Sequence, residues 1–276
     1  AALRAWGDPA GDPELLMELW ILLNGKKNPE SERLGVILNQ HAWNWAKSLG
    51  QALNLDAHKP RTAPKFEKAG KAVLEHFFDG YKANPEFALK TLEAAKSAGA
   101  DTLTLCDTNG GMMTGALAEV CRLVRSRFEG ILGIHTHNDS DVAVANSLAA
   151  IGEGFTHVQG CLNGYGERCG NANLASVIAN LELKLGHTTI GTERLGTLTS
   201  TARYIAGLAN LPLPGGQPYV GRSAFAHKGG VHVSAVMKDS ATYEHIQPGI
   251  VGNAQRVLVS DLSGRGNVLY KMRELG

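Results

Sequence analysis

Two short runs carry side chains whose types and spacing suit metal and acid–base chemistry. The first is His135-Thr136-His137-Asn138-Asp139, which follows a β-type run at 131–134. In an extended segment residues i and i+2 share a face, so His135 and His137 present two imidazoles side by side, as a chelate requires. The same spacing also fits two solvated loop histidines. Their place at a strand end, beside a second polar loop, weighs toward the chelate. That second run, Gly160-Cys161-Leu162-Asn163-Gly164-Tyr165-Gly166-Glu167-Arg168-Cys169-Gly170-Asn171, has four glycines in twelve residues. Glycine permits tight backbone conformations, while Asn163, Glu167, Arg168 and Asn171 supply polar heads.

These residues need elements to hold them. Short β-type runs occur at 72–74, 102–106, 131–134 and 157–159, each followed by a polar loop and then a helical pattern. Asn84-Pro85-Glu86 reads as an N-cap, a proline at the first helical position and an acid in the first turn. Phe87, Leu92 and Ala95 form its apolar set and Gly99 its stop. A helix from about Thr114 places Leu117, Val120, Cys121, Val124 and Phe128 on one face, and further helices are expected near 141–151 and 173–185. Strand starts recurring every 25–30 residues or so imply parallel strands with covering helices. The fold class is therefore α/β, with about four βα units where a closed barrel needs eight. No G-x-G-x-x-G follows the first strand, so a doubly wound nucleotide-binding fold is disfavoured. Before this region, 13–23 and 30–55 read as helices and Pro60 and Pro64 mark a linker. All four tryptophans lie in the first 45 residues. After residue 190 strands are no longer expected: 192–210 reads as helix and 215–276 as a helix-and-loop appendage. The expected domains are an atypical helical segment at 1–70, a half-barrel at 71–190 and a helical linker subdomain at 191–276.

Composition narrows the function classes. The 276 residues are 43% hydrophobic and 19% charged, with a formal net charge of +1, which disfavours a nucleic-acid or membrane surface. Thirty-three glycines are about 12% of the chain, against a usual ~7%. Cys106, Cys121, Cys161 and Cys169 form no C-x-x-C pair and read as reduced thiols of a cytoplasmic enzyme. No apolar run reaches the ~18 residues of a membrane span.

The runs Leu105-Cys106-Asp107-Thr108-Asn109-Gly110-Gly111, Gly133-Ile134-His135-Thr136-His137-Asn138-Asp139 and Gly164-Tyr165-Gly166-Glu167-Arg168-Cys169-Gly170-Asn171 resemble the last three barrel-strand signatures of the citramalate, homocitrate and 2-isopropylmalate synthases. Glu75-His76-Phe77-Phe78-Asp79-Gly80-Tyr81-Lys82 resembles the strand before them. Gly221-Arg222-Ser223-Ala224-Phe225-Ala226-His227-Lys228-Gly229-Gly230-Val231-His232 resembles the subdomain after the barrel. The wording is nearest to citramalate synthase. The resemblance implies the C-terminal half of a (β/α)8 TIM barrel, with His135, His137 and Asn171 as ligands of a divalent metal. Two imidazoles plus oxygens suit Mg, Mn or Zn without choosing among them.

The resemblance further implies that Thr108 contacts a 2-oxo acid, with Asn109, Glu167 and Arg168 on the substrate side. Glu75, His232 and Tyr243 are the implied catalytic residues, the last two reaching a neighbouring subunit's site, so a homodimer is expected. The implied reaction condenses acetyl-CoA with pyruvate to give citramalate, for isoleucine biosynthesis, followed by thioester hydrolysis. The alternatives are 2-isopropylmalate synthase (2-oxoisovalerate acceptor, leucine biosynthesis) and an inactive barrel fragment acting as a binding module. A carbon–carbon lyase is less favoured, because such relatives carry a cysteine-containing glycine loop where this chain has Gly-Glu-Arg-Cys-Gly-Asn. The family's opening Asp-Thr-Thr-Leu-Arg-Asp-Gly, which supplies a metal-binding aspartate and a substrate-binding arginine, does not occur in the sequence. The expectation is a piece of a longer protein or a divergent start, with little synthase activity on its own.

Overall fold

The computed structural model describes residues 70–259, Gly264, Asn267, Val268 and residues 270–272. The helices expected at 13–23 and 30–55, the tryptophans and the Pro60/Pro64 linker lie outside these residues. Four strands, β1 (Gly70–Leu74), β2 (Ala100–Asp107), β3 (Ile131–Thr136) and β4 (His157–Gln159), form one sheet in the order β1-β2-β3-β4, every pair parallel. Parallel neighbours need crossover connections. Those here are α1 (Phe77–Ala83) with α2 (Pro85–Ser97), then α3 (Thr114–Arg127) and α4 (Ala143–Gly152); α5 (Leu174–Leu183) follows β4.

The register separates two chemically different faces. Ala72, Leu74, Leu103, Leu105, Leu132, Ile134 and Val158 share one face and join a core with Phe78, Leu92, Leu117, Val124 and Phe155 from the helical layer and its loops. The alternate positions Thr102, Thr104, Cys106, Gly133, His135, His157 and Gln159 form the other face, which is small and polar. A barrel turns such a face inward. Residues 102–107 of β2 are buried throughout, as a strand covered on both sides requires. Gly133 is needed where it stands: a Cβ there would strike Thr104 and the His157 ring.

Local signals explain most boundaries. Asn84 accepts a hydrogen bond from the Phe87 amide at 3.1 Å, Pro85 opens α2, and Gly99 follows its end with φ +92°. Phe87, however, is 63% exposed, and α2 buries Ala88, Leu89 and Leu92 instead. That stripe follows the helical period, and Phe87 lies beside it. The run 75–82 is not strand: the strand ends at Leu74, and α1 buries Phe77 and Phe78.

Beyond α5 the expected single helix is two, α6 (Thr192–Leu195) and α7 (Leu198–Ala209). Strands also reappear. β5 (Ala226–His227) and β6 (Arg256–Val257) pair in parallel, too short to leave a period in sequence, and α8 (Gly230–Val236) lies between them. This part has its own core of Leu198, Ala202, Tyr219, Val220, Phe225 and Val251, shared with Ala175 and Ala179 of α5. No helix among the described residues is long and apolar enough to cross a membrane.

Candidate active site

The C-terminal ends of β1, β2 and β3 and the loop after β4 bring most of the candidate residues together. Cys106 pairs in register with His135, and one ligand atom each from Cys106, His135 and His137 lies within 4.8 Å of the others. The His135 and His137 rings stand 5.2 Å apart, tilted by 51°. The Nδ1 of His135 lies 3.2 Å from Gln159 Oε1, and Gln159 Nε2 lies 3.4 Å from His157 Nε2. With the Gln159 oxygen accepting, His135 Nδ1 is the donor.

His137 is buried, and that burial, reinforced by the Arg168 charge, lowers its pKa. The ring is therefore neutral at pH 7 and keeps a lone pair for coordination. His137 also forms an isolated antiparallel bridge with Asn171, supported by Asn138 N donating to Gly170 O (2.8 Å) and Ala172 N donating to Thr136 O (3.0 Å). Both His137 Nδ1 and Asn171 Oδ1 are buried side-chain atoms without a hydrogen-bond partner among the described residues. Such atoms are costly to leave unmatched. An imidazole nitrogen and a carboxamide oxygen, unsatisfied on two residues joined by a backbone bridge, fit a divalent cation of the Mg, Mn or Zn type.

Around this centre the loops are tied to one another. The Asp107 carboxylate accepts from the Gly111 and Met112 amides, both at 3.2 Å, closing the turn after β2; burial raises its pKa while those amides oppose the rise. Thr108 Oγ1 accepts from the His76 amide at 2.7 Å. Its single proton faces Glu75 Oε2 at 3.0 Å and Cys106 Sγ at 3.1 Å. Glu75 and Thr108 thus sit beside the cysteine of the cluster. Burial and the nearby Glu75 charge push the Cys106 thiol far up, so it is protonated at neutral pH.

Other expected residues are placed differently. Asn109 donates to Asp79 Oδ2 at 2.8 Å. Glu167 is 77% exposed in its side chain and only 3.9 Å from Arg168. The Arg168 guanidinium donates to both Asp139 oxygens (2.7 and 3.0 Å) and to the Thr108 carbonyl (2.7 Å). It ties three loops, a task beside the substrate contact expected of it. His232 and Tyr243 stack on each other at 4.2 Å in the appended subdomain. Neither is joined to the strand-end cluster among the described contacts. Cys106 and Gln159 were not singled out from sequence; the inter-strand register is the signal that finds both.

The Arg168 tie has a testable pH dependence. Hydrogen bonds from Arg168 hold Asp139 below the usual carboxylate range. A folded pKa below the unfolded ~3.9 means that the tie stabilises above the unfolded value and is lost as pH falls through the folded one. Asp139→Asn should therefore raise hydrogen exchange at the amides of residues 164–171 at pH 7. Acidification below pH ~4 should do the same to the unchanged chain. Equal protection in the variant and the parent would show that the tie does not order this loop.

The HMGL-like family model matches residues 61–202, and the Homocitrate synthase post-HMGL domain-like model matches residues 219–276. The chain is 59% identical over 200 residues to the (R)-citramalate synthase of Geobacter sulfurreducens, covering 72% of this chain and 38% of that protein. It is 36% identical over 199 residues to a probable 2-isopropylmalate synthase of Ignicoccus hospitalis, covering 72% and 49%. The solved HMG-CoA lyase of Bacillus subtilis is 27% identical, with TM-score 0.42 over 47% of this chain and 45% of that one. The chain spans about two fifths of the length of the citramalate synthases it matches. With its parallel βα units, its strand-end histidines and a family match over half its length, the chain belongs to the HMGL-like family, among relatives that are citramalate and 2-isopropylmalate synthases.

Proposed function

We propose that this chain supplies the metal-binding half-barrel (71–190) and the appended subdomain (191–276) of a cytoplasmic citramalate synthase, which condenses acetyl-CoA with pyruvate for isoleucine biosynthesis. The observation that carries the proposal is the pair of buried, unsatisfied side-chain atoms on His137 and Asn171, two residues joined by a backbone bridge, with the His135 ring beside that of His137. His135, His137 and Asn171 would hold the divalent ion, which when bound supplies polarisation of the 2-oxo acid carbonyl and charge compensation for the alkoxide.

The chain's own groups account for the proton movements. Making the acetyl methyl carbon nucleophilic needs a placed base, and the alkoxide formed at the keto carbon needs a proton donor. Glu75 presents a carboxylate at the end of β1, held against the Thr108 hydroxyl, in reach of an acid bound at the cluster. Thr108 orients that acid, and the Arg168 tie keeps the Thr108 backbone in place. His232 and Tyr243 offer a second base and donor, delivered from the subdomain of a second copy in a homodimer. Water then hydrolyses the thioester and drives the condensation forward. Pyruvate is preferred to 2-oxoisovalerate as acceptor because the citramalate synthase relative is 59% identical and the 2-isopropylmalate synthase relative 36%.

The test joins residues 70–276 to the N-terminal half-barrel of a citramalate synthase and follows thiol release from acetyl-CoA with Mg or Mn. Release with pyruvate is expected to exceed release with 2-oxoisovalerate. The reverse preference moves the assignment to 2-isopropylmalate synthase. A folded fusion that binds Mn and releases no thiol with either acid reduces the chain to a binding module.

A further inference from the structure

We propose that a buried hydrogen-bonded pair, His227–Glu244, positions the His232/Tyr243 ring stack, and through it the acid–base step; the proposal rests on the catalytic reading of those rings given above. His227 Nε2 lies 3.0 Å from Glu244 Oε1. The two residues are only 8% and 6% exposed. With the carboxylate oxygen accepting, the ring donates Nε2–H. Burying such a pair is seldom the cheapest way to stabilise a fold, which directs attention to what it holds in place.

It holds the two segments that carry the rings. Glu244 directly follows Tyr243, at the end of a 3-10 turn (Ser240–Thr242) capped by Asp239. His227 is the last residue of β5, and Lys228-Gly229 leads from it into α8, whose third residue is His232. The pair thus joins the base of one ring's segment to the base of the other's across 17 residues. Both bases are anchored further. The His227 carbonyl accepts from the Leu258 amide at 2.9 Å. On the other side His245 packs against Tyr219 and Phe225, with ring centroids 5.2 and 6.1 Å away.

The rings themselves are exposed. Val231 and Tyr243 are 76% and 46% exposed, His232 is exposed, and the two rings stack at 4.2 Å with planes 27° apart. One side of the His232 ring faces Gly229, where a Cβ would sit 3.6–3.8 Å from the ring. A stack displayed on the surface takes its geometry from its attachment points.

The test uses the chain itself, with ring-labelled histidine and NMR. The Tyr243 ring current should move the His232 ring protons upfield, and Tyr243→Leu, which removes that ring, identifies the signal. Glu244→Ala should abolish the upfield shift while the Val220 and Val251 methyl signals of the subdomain core stay in place. Glu244→Gln, which keeps an acceptor for the Nε2–H, should restore most of the shift. Should the alanine variant unfold, the comparison of glutamine with His227→Gln tests the same link in a folded chain.

In the complete barrel described above, Glu244→Ala should lower kcat by roughly tenfold or more, with KM for pyruvate changed less than about twofold, the mark of an interaction expressed in the transition state. A stack that survives Glu244→Ala unchanged overturns the positioning proposal. A stack that is lost while kcat stays at the parent value upholds positioning and overturns the catalytic reading of the rings.

Discussion

His137→Ala is expected to weaken Mn²⁺ binding by at least about 100-fold, since even outer-shell changes at metal sites cost 10–100-fold. The expectation rests on three properties of the residue. Its Nδ1 is buried and has no partner among the described residues, so desolvating its lone pair is a cost that a bound ligand would offset. Burial and Arg168 keep the ring neutral, so no proton competes with a cation near neutrality. The strand-end bridge to Asn171 sets it beside a second unsatisfied atom. Because the His137 pKa is lowered, this ring should keep its lone pair available as pH drops through the usual histidine range near 6.5. Calorimetric titration of Mn²⁺ into the two chains measures the effect. Replacing exposed His187 in the same way should change nothing. Equal dissociation constants for the His137 variant and its parent would remove the metal centre from the proposal.

How much of this was legible in the sequence depends on the range over which each feature is determined. The four sheet strands were readable within a few residues, because each is an apolar run closed by a polar or glycine-containing loop. The N-cap at Asn84 and the burial of Leu117, Val120, Cys121, Val124 and Phe128 on one face of α3 follow from local periodicity and do appear. Phe87 failed as a core residue because apolar character says nothing of which side of the stripe a residue takes. The helix at Phe77–Ala83 was not read, because seven residues give too little period. The pair β5/β6 exists only through partners 30 residues apart.

The site shows the same division. His135 and His137 were found by their i, i+2 spacing, a local property. Cys106 lies 29 residues before His135, and only the register of β2 on β3 brings them together. Gln159 needs the register of β4 as well. Arg168 was legible as a polar head in a glycine loop, but not as the residue that joins Asp139 to the Thr108 backbone, since those partners lie 29 and 60 residues away. Residue type and short spacing therefore announce a ligand, and long-range pairing decides what orients it.

Gly170→Ala should destabilise the chain by roughly 2–4 kcal/mol, combining backbone strain with overpacking, and should abolish Mn²⁺ binding by way of Asn171. Gly170 has φ +88°, where an L side chain is strained, and its added Cβ would run into the Gly164 carbonyl oxygen. That oxygen accepts the Asn171 amide at 3.1 Å, while the Gly170 carbonyl accepts the Asn138 amide at 2.8 Å. Relief of the clash must move one of these carbonyls. The first carries Asn171 with it; the second carries the segment that follows His137. Gly115→Ala is the matched control: it lies in α3, has nothing within 4 Å of its Cβ position, and should raise stability by about 0.5–1 kcal/mol through helix propensity. Chemical denaturation and Mn²⁺ calorimetry on both variants separate the two effects. If Gly170→Ala lowers stability as expected yet binds Mn²⁺ with the parent's affinity, the loop is strained for some purpose other than presenting Asn171. The ligand set then contracts to the strand-end histidines.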